Sequence, residues 1–173
     1  FTPLTTTRDN DMNDLNGYDI EDLSVGMSAT FSKTITEADI VLFAGVSGDI
    51  NAIHINEEYA ATTAFKGRIA HGMLSASVIS AAVATRLPGP GAIYMDQRLK
   101  FLAPVRPGDT VHATVRVREL ILEKGRVVLE TTCRVKDTLV IDGEALVKVD
   151  SSVRRATRFQ AAAAETNPQA KVA

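Results

Sequence analysis

The second half of the chain is a series of segments in which apolar and polar residues alternate. The alternation is strict in VHATVRVREL (111–120) and in VVLETTCRV (127–135). A period of two residues places successive side chains on opposite faces of a β-strand, so one face is covered and the other meets solvent or an edge. The pattern predicts strands over these ranges: 27–35, 92–103, 109–122, 126–136 and 139–150.

Two segments change to the spacing of an α-helix. The first, 36–48, opens on Thr36 with Asp39 three residues later, a variant of the capping box that begins many helices. The second, 70–87, is small and apolar nearly all round and is stopped by PGPG (88–91). A helix that is apolar on most of its faces is buried.

These elements predict an α+β fold. Residues 49–67 are irregular, with one helical turn at about 57–62. The strands after residue 92 are joined by short turns at 123–126 and 136–139, which makes them an antiparallel meander. The economical packing is an antiparallel sheet wrapped around the 70–87 helix.

Only one domain is predicted. It covers 18–155, a length that suits a single hydrophobic core. Residues 1–17 are polar and are expected to form a flexible N-terminal arm, and 156–173 a flexible or weakly helical C-terminal tail.

Composition excludes several classes of function. With 19 Lys and Arg against 21 Asp and Glu, the formal net charge is −2, which favours neither nucleic acid nor a membrane surface as a partner. The apolar runs are far shorter than the roughly 20 residues of a membrane span. The first residues include no apolar signal segment, so a cytoplasmic protein is expected.

Motifs for cofactors are missing from the sequence. A single cysteine, Cys133, allows no disulfide within the chain and no cysteine-based metal site. The three histidines lack metal-ligand spacing such as His-x-x-x-His, so no metal is predicted. No glycine-rich loop connects a strand to a helix, and no Gly-x-Ser-x-Gly elbow is present, which argues against a dinucleotide cofactor and against a serine nucleophile.

The loop GDINAIH (48–54) carries the candidate chemistry. It places Asp49 five residues before His54. An imidazole titrates near neutral pH and a carboxylate can share a water molecule with it, so the pair suits proton transfer. From the residues alone, the favoured explanation is an ordinary one: Asp49 as a turn residue and His54 as a half-buried histidine with satisfied hydrogen bonds.

Three separated blocks resemble one family. FAGVSGDINAIH (43–54), YAATTAFKGRIAHGMLSAS (59–77) and AIYMDQRLKFLAPVRPGDTV (92–111) are similar to the MaoC-like (R)-specific enoyl-CoA hydratases of the hot dog superfamily. The resemblance covers roughly residues 25–150. In that family Asp-x-Asn-Pro-Ile/Leu-His carries the catalytic pair, and here Ala52 stands where proline is usual. The change removes a restraint on φ and leaves both proton-handling residues in place.

The resemblance implies a hot dog fold and a reaction. The reaction is reversible hydration of a trans-2-enoyl-CoA to an (R)-3-hydroxyacyl-CoA, with Asp49 and His54 handling protons. The N–H of Gly72, at the start of the buried helix, would polarise the thioester carbonyl. Ser80 would support the pair by hydrogen bonding, with Ser75 and Ser77 as close competitors, and His71 is interpreted as a helix-start residue of the hydrogen-bond network.

Partners follow from the same resemblance. The substrate is an acyl-CoA, no metal or redox cofactor is needed, and the chain is expected to form at least a homodimer, because family members join two sheets edge to edge. An exposed strand edge must in any case be covered. The cations that could meet CoA phosphates are not distinguished by the sequence: Arg68, Arg98, Lys100 and Arg106.

Two other functions stay open at this point. One is a hot dog acyl-CoA thioesterase, which usually places an acid on the central helix, whereas 70–87 contains no Asp or Glu. The other is a non-catalytic subunit that binds acyl-CoA or regulates a neighbouring enzyme; the Asp49 and His54 pair argues against it. Acyl chain length is not readable from the sequence.

Overall fold

The computed structural model describes residues 16–166 of the 173. Apart from residues 16 and 17, the predicted arm at 1–17 lies outside the described residues, as does the end of the predicted tail at 167–173. The elements follow in this order: β1 (Ser28–Thr34), α1 (Glu37–Ser47), α2 (Ala52–Ile55), α3 (Glu57–Thr62), α4 (Gly72–Thr85), β2 (Ile93–Phe101), β3 (Thr110–Ile121), β4 (Arg126–Val135), β5 (Thr138–Lys148) and α5 (Ser152–Thr166).

The five strands form one antiparallel sheet in the order β1-β3-β4-β5-β2. As a meander, the strands β2 to β5 were expected to pair consecutively. The pairings of β3 with β4 and of β4 with β5 are confirmed, whereas the pairing of β2 with β3 is wrong, because β2 lies beside β5. The position of β1 beside β3, and of β2 beside β5, is a property of the tertiary fold. Strands β1 and β2 are the two edges of this sheet.

One face of the sheet is mostly apolar at its centre, with the buried Thr131 as a polar residue on it. In β3 the buried side chains are Val111, Ala113, Val115 and Val117, which are at most 1% exposed, while His112 between them is exposed. This alternation is the one that the sequence predicts. The face packs against α4, which contacts β1, β3 and β4.

Helix α4 is buried through the middle of its length, as its apolar composition predicts. Val78, Ile79, Ala82 and Val83 are at most 2% exposed and belong to the same core as the sheet residues. An antiparallel sheet that wraps around a central helix is the hot dog fold, so the α+β prediction is confirmed.

Local signals explain the start of α1. Thr36 caps the helix and its hydroxyl accepts the N–H of Asp39, while the Asp39 carboxylate accepts the N–H of Thr36. The variant capping box is therefore confirmed. The sequence did not predict helix α2, a single turn capped by Asn51, because four residues are too few for a periodic pattern.

The end of the described chain is more regular than predicted. Helix α5 begins at Ser152, four residues before the expected tail. Arg155 pairs with Asp19, and this ion pair joins α5 to the segment before β1. Among residues 16–166, no helix has both the length and the apolar composition needed to cross a membrane.

Candidate active site

Asp49 is placed by the end of α1. Gly48 ends the helix in the left-handed conformation, with φ of 76°, a geometry that glycine adopts without strain. The N–H of Asp49 then donates to the Ser47 hydroxyl at 3.2 Å, and the Asp49 carboxylate accepts the N–H of Asn51 at 3.2 Å. The turn leaves the Asp49 side chain at an exposed position beside the start of α2.

His54 lies on α2 and is 9% exposed. Its Nδ1 lies 2.8 Å from the carbonyl oxygen of Ile69. A carbonyl oxygen only accepts, so Nδ1 carries the proton and donates it. The lone pair of the neutral ring is therefore on Nε2, the nitrogen that remains for chemistry.

His71 is the most buried of the three histidines, at 1% exposure. It caps the start of α4, and its Nε2 lies 2.9 Å from the backbone carbonyl oxygen of Asp49. Its ring lies with its centroid 3.9 Å from that of His54, at an interplanar angle of 32°. Its Nδ1 is buried and has no hydrogen-bond partner among residues 16–166.

The fold thus gathers three side chains that are distant in sequence. Asp49, His54 and His71 each offer an oxygen or nitrogen atom, and these atoms lie within 4.8 Å of one another. Such a group could hold a divalent metal ion or act in acid–base chemistry. No spacing in the sequence predicts this group, because His71 joins the pair only through folding. The expectation that no metal is used stays a prediction.

Beside this group lies an apolar cavity of about 310 Å³. The wall of this cavity includes three residues that offer polar groups, His54, Gly72 and Ser75, and the rest of the lining is mostly apolar. The apolar lining includes Phe65, Ile69, Phe101, Leu102, Val105 and Ile141. An apolar cavity with a few convergent polar groups is typical of a small-molecule site.

Gly72 lies between this cavity and a second one. The second cavity is lined by Asp49 and His71, and Gly72 and Phe101 line both. Gly72 is the first residue of α4, so its N–H has no partner within the helix and lies at the positive end of the helix dipole. The predicted position of Gly72 at a helix start is confirmed; its catalytic role stays a prediction.

The structure does not bring Ser80 to the cavity. Ser80 lies on an exposed face of α4, whereas Ser75 is 2% exposed and lines the cavity with Gly72. The reason is helical geometry: Ser75 is about 4.5 Å along the axis from Gly72, and Ser80 about 12 Å. The spacing of three residues from Gly72 was the signal that favours Ser75.

The candidate phosphate-binding cations differ in their surroundings. Arg68 is held by Glu37 at 2.8 Å and by Glu57 at 3.0 Å, and Arg98 is paired with Glu144. Lys100 is exposed. Arg106 is exposed too, and its guanidinium donates to the carbonyl oxygen of Phe65, a residue of the cavity wall.

Other groups near the core are unsuited to nucleophilic chemistry. Burial raises the pKa of the Cys133 thiol to about 12, so this buried cysteine stays protonated. Helix α4, from Gly72 to Thr85, contains no carboxylate. The acid that a hot dog thioesterase usually carries on this helix is therefore missing.

Known proteins are similar to this chain across most of its length. The family model of the MaoC like domain matches residues 23–138. An (R)-specific enoyl-CoA hydratase from Rhodospirillum rubrum is 62% identical over 129 residues, which are 75% of this chain and 90% of that protein. A 3-hydroxybutyryl-CoA dehydratase from Methylorubrum extorquens is 54% identical over 129 residues, 75% of this chain and 82% of that protein.

Solved structures agree with this. The unliganded R-hydratase PhaJ1 from Pseudomonas aeruginosa superimposes with a TM-score of 0.75 at 46% identity, covering 79% of this chain and 88% of that one. The (R)-hydratase from Aeromonas caviae, involved in PHA biosynthesis, gives a TM-score of 0.71 at 42% identity, covering 73% of this chain and 97% of that one. With its sheet, its central helix and these matches, the chain belongs to the MaoC-like dehydratase family.

Proposed function

We propose that this protein is an (R)-specific enoyl-CoA hydratase, which acts in the reverse direction as a 3-hydroxyacyl-CoA dehydratase. One observation carries the proposal: an Asp49 carboxylate oxygen and a His54 ring nitrogen lie within 4.8 Å of each other, beside an apolar cavity. The 62% identical relative named for this activity supports it.

The separation of Asp49 and His54 suits one shared water molecule. A water bonded to both groups at the usual distance of about 2.8 Å can join atoms up to about 5.6 Å apart. One group takes a proton from this water as its oxygen bonds to C3 of the substrate. The electrons of the double bond move toward the thioester oxygen, and the other group returns a proton to C2.

The hydroxyl group at C3 and the proton at C2 are added from the same side, because Asp49 and His54 lie five residues apart on one side of the substrate, so the addition is syn. Which of the two acts first as base stays open. The addition of water neither oxidises nor reduces the substrate, so we propose that the reaction uses no redox cofactor. We also propose that Asp49 and His54 move the protons themselves, without a metal.

Gly72 supplies the third group of the proposal. Negative charge develops on the thioester oxygen in the transition state, and a backbone N–H at a helix start is suited to stabilise it. Because Gly72 lines both cavities, it is accessible from the His54 side and from the Asp49 side. The apolar cavity would take the acyl chain.

We also propose where the CoA moiety and a second subunit bind. Arg106 is the cation that the structure joins to the cavity wall, through Phe65, so it would meet a phosphate group. The edge strand β2 exposes Ile93, Met95 and Phe101, which are 45–59% exposed, and pairing of this edge with a second copy would cover them. The cytoplasmic location stays a prediction.

The test is to follow hydration of crotonyl-CoA by the loss of enoyl thioester absorbance. We expect the wild type to consume it without releasing free thiol, and Asp49→Asn and His54→Ala to lose about 10²- to 10⁴-fold in kcat. The matched controls are Asp137→Asn and His112→Ala, which change exposed residues away from the cavity. They should keep wild-type kcat.

Other outcomes separate the alternatives. Release of free thiol would show a thioesterase. If crotonyl-CoA and longer or branched enoyl-CoAs bind but stay unchanged, the chain is a binding or regulatory subunit. Full activity of both site variants would place the chemistry elsewhere.

A further inference from the structure

We propose that His71 is a positioning residue that holds the Asp49 backbone and the His54 ring in their working arrangement. The inference deepens the proposed hydratase function and depends on it. His71 contacts both parts of the catalytic pair at once, in a different way on each side. It is 17 residues beyond His54 and was not assigned a role in catalysis by the sequence.

On the side of Asp49 the contact is a hydrogen bond. The acceptor is a backbone carbonyl oxygen, so Nε2 of His71 must donate across the 2.9 Å separation. The bond joins the start of α4 to the loop that follows α1. Without it, this loop would be held mainly by its own short-range hydrogen bonds, those of Asp49 with Ser47 and Asn51.

On the side of His54 the contact is between ring faces. The two ring centroids are 3.9 Å apart, and Phe43 lies against His71 with ring centroids 5.0 Å apart. The His54 ring therefore has two restraints: the Ile69 carbonyl at Nδ1 and the face of His71. Together they limit the rotation of the His54 ring beside Asp49.

A histidine at position 71 is less favourable for the stability of the fold than an apolar aromatic residue would be. With the proton on Nε2, its Nδ1 carries a buried lone pair that has no hydrogen-bond donor within the described part of the chain. A buried polar atom without a hydrogen bond destabilises the folded state, and a phenylalanine would fill a similar space without that penalty. A residue that lowers stability yet bonds to Asp49 is explained by a role in arranging the site.

The test compares two variants in crotonyl-CoA hydration. His71→Phe keeps an aromatic face toward His54 and removes the donor to Asp49; His71→Gln keeps an N–H donor of similar reach. We expect His71→Phe to lose about 10- to 100-fold in kcat, with KM for crotonyl-CoA unchanged within about threefold and Tm equal to or above that of the wild type. His71→Gln should recover most of the kcat that His71→Phe loses.

Wild-type kcat in His71→Phe would overturn the proposal. So would equal losses of kcat in both variants accompanied by a lower Tm, since that result marks a purely structural residue. If His71→Phe fails to fold, His71→Gln decides: kcat within about fivefold of wild type supports the proposal, and a larger loss at unchanged Tm overturns it.

Asp49→Asn and His54→Ala are measured alongside. If these two variants keep full activity, the proposed function of the pair has failed. If they lose activity while His71→Phe does not, only the role of His71 has failed.

Discussion

The ring of Phe101 lies against the α-carbon of Gly72. A Cβ atom built at residue 72 would stand 3.0 Å from Cε1 and 3.1 Å from Cδ1 of that ring. Real Cβ atoms rarely make contacts this short, so a side chain at residue 72 would push the Phe101 ring aside by a few tenths of an ångström. Phe101 comes from the edge strand β2 and Gly72 from the central helix. Both residues line the apolar cavity, which includes His54, and the second cavity, which includes Asp49 and His71.

The first prediction concerns this contact. We expect Gly72→Ala to lower kcat for crotonyl-CoA by about 10-fold or more, because the added methyl group displaces either the ring or the N–H that would meet the thioester oxygen. Phe101 is 52% exposed and has room to move, so the fall in the free energy of unfolding should stay near 1 kcal/mol or less.

The double variant Gly72→Ala/Phe101→Leu identifies the cause. A smaller side chain at 101 relieves the clash, so part of the lost kcat should return relative to Gly72→Ala alone. Phe101→Leu by itself is the matched control. No recovery in the double variant would show that the ring contact is not the reason for the loss.

The second prediction separates two serines on α4. Within one subunit, Ser75 lines the apolar cavity and Ser80 does not. We therefore expect Ser75→Ala to change kcat or KM by severalfold, and Ser80→Ala to leave both within about twofold of the wild type. Steady-state kinetics on crotonyl-CoA measure both. The reverse ranking would mean that Ser80 reaches the site, as the family resemblance implies, by way of a second copy of the chain.

The third prediction concerns stability against pH. The pKa of Asp39 is lowered from 3.8 to about 2. The main cause is the hydrogen bond from the backbone N–H of Thr36, followed by those from the Thr36 hydroxyl and from Lys33. A carboxyl group with a depressed folded pKa stabilises the fold above its unfolded pKa, and this stabilisation is lost as pH falls from about 4 through about 2.

Thr36→Ala should therefore lower the free energy of unfolding by about 1 kcal/mol at pH 7, the usual cost of losing a helix cap. Part of this difference should be lost as the pH falls through about 2, because Asp39 becomes protonated and the Thr36 hydroxyl then no longer donates to a carboxylate. Denaturant titrations at several pH values measure this. Asp137→Asn, which removes an exposed carboxylate from the turn between β4 and β5, is the control and should show no such trend.

The fourth prediction concerns the CoA moiety. We expect Arg106→Gln to raise KM for crotonyl-CoA about fivefold to tenfold, as one exposed ionic contact to phosphate contributes about 1 kcal/mol. KM for a crotonyl thioester of pantetheine, which lacks the nucleotide phosphates, should not change. Arg98→Gln is the matched control, because Arg98 is paired with Glu144 and does not line the acyl cavity. Equal effects of the two variants on both substrates would exclude Arg106 as the phosphate contact.

The sequence predicted those elements whose signals are local. The alternation in 111–120 and 127–135 placed strands β3 and β4 within two residues of their observed bounds, because alternate side chains must face a core or solvent. Thr36 and Asp39 located the start of α1, and the apolar run after residue 70 identified the buried helix α4, since caps and helical periodicity are properties of neighbouring residues.

Local sequence patterns predicted only part of the candidate site. Asp49 and His54 were candidates because they lie five residues apart, and the resemblance to a known family favoured their role in proton transfer and added Gly72. Only the tertiary structure decided that His71 bonds to Asp49, that Ser75 rather than Ser80 lines the cavity of the described chain, and that Phe101 covers Gly72. Each of these joins residues from different elements, and such contacts depend on how the helix lies across the sheet, which no local pattern of residues encodes.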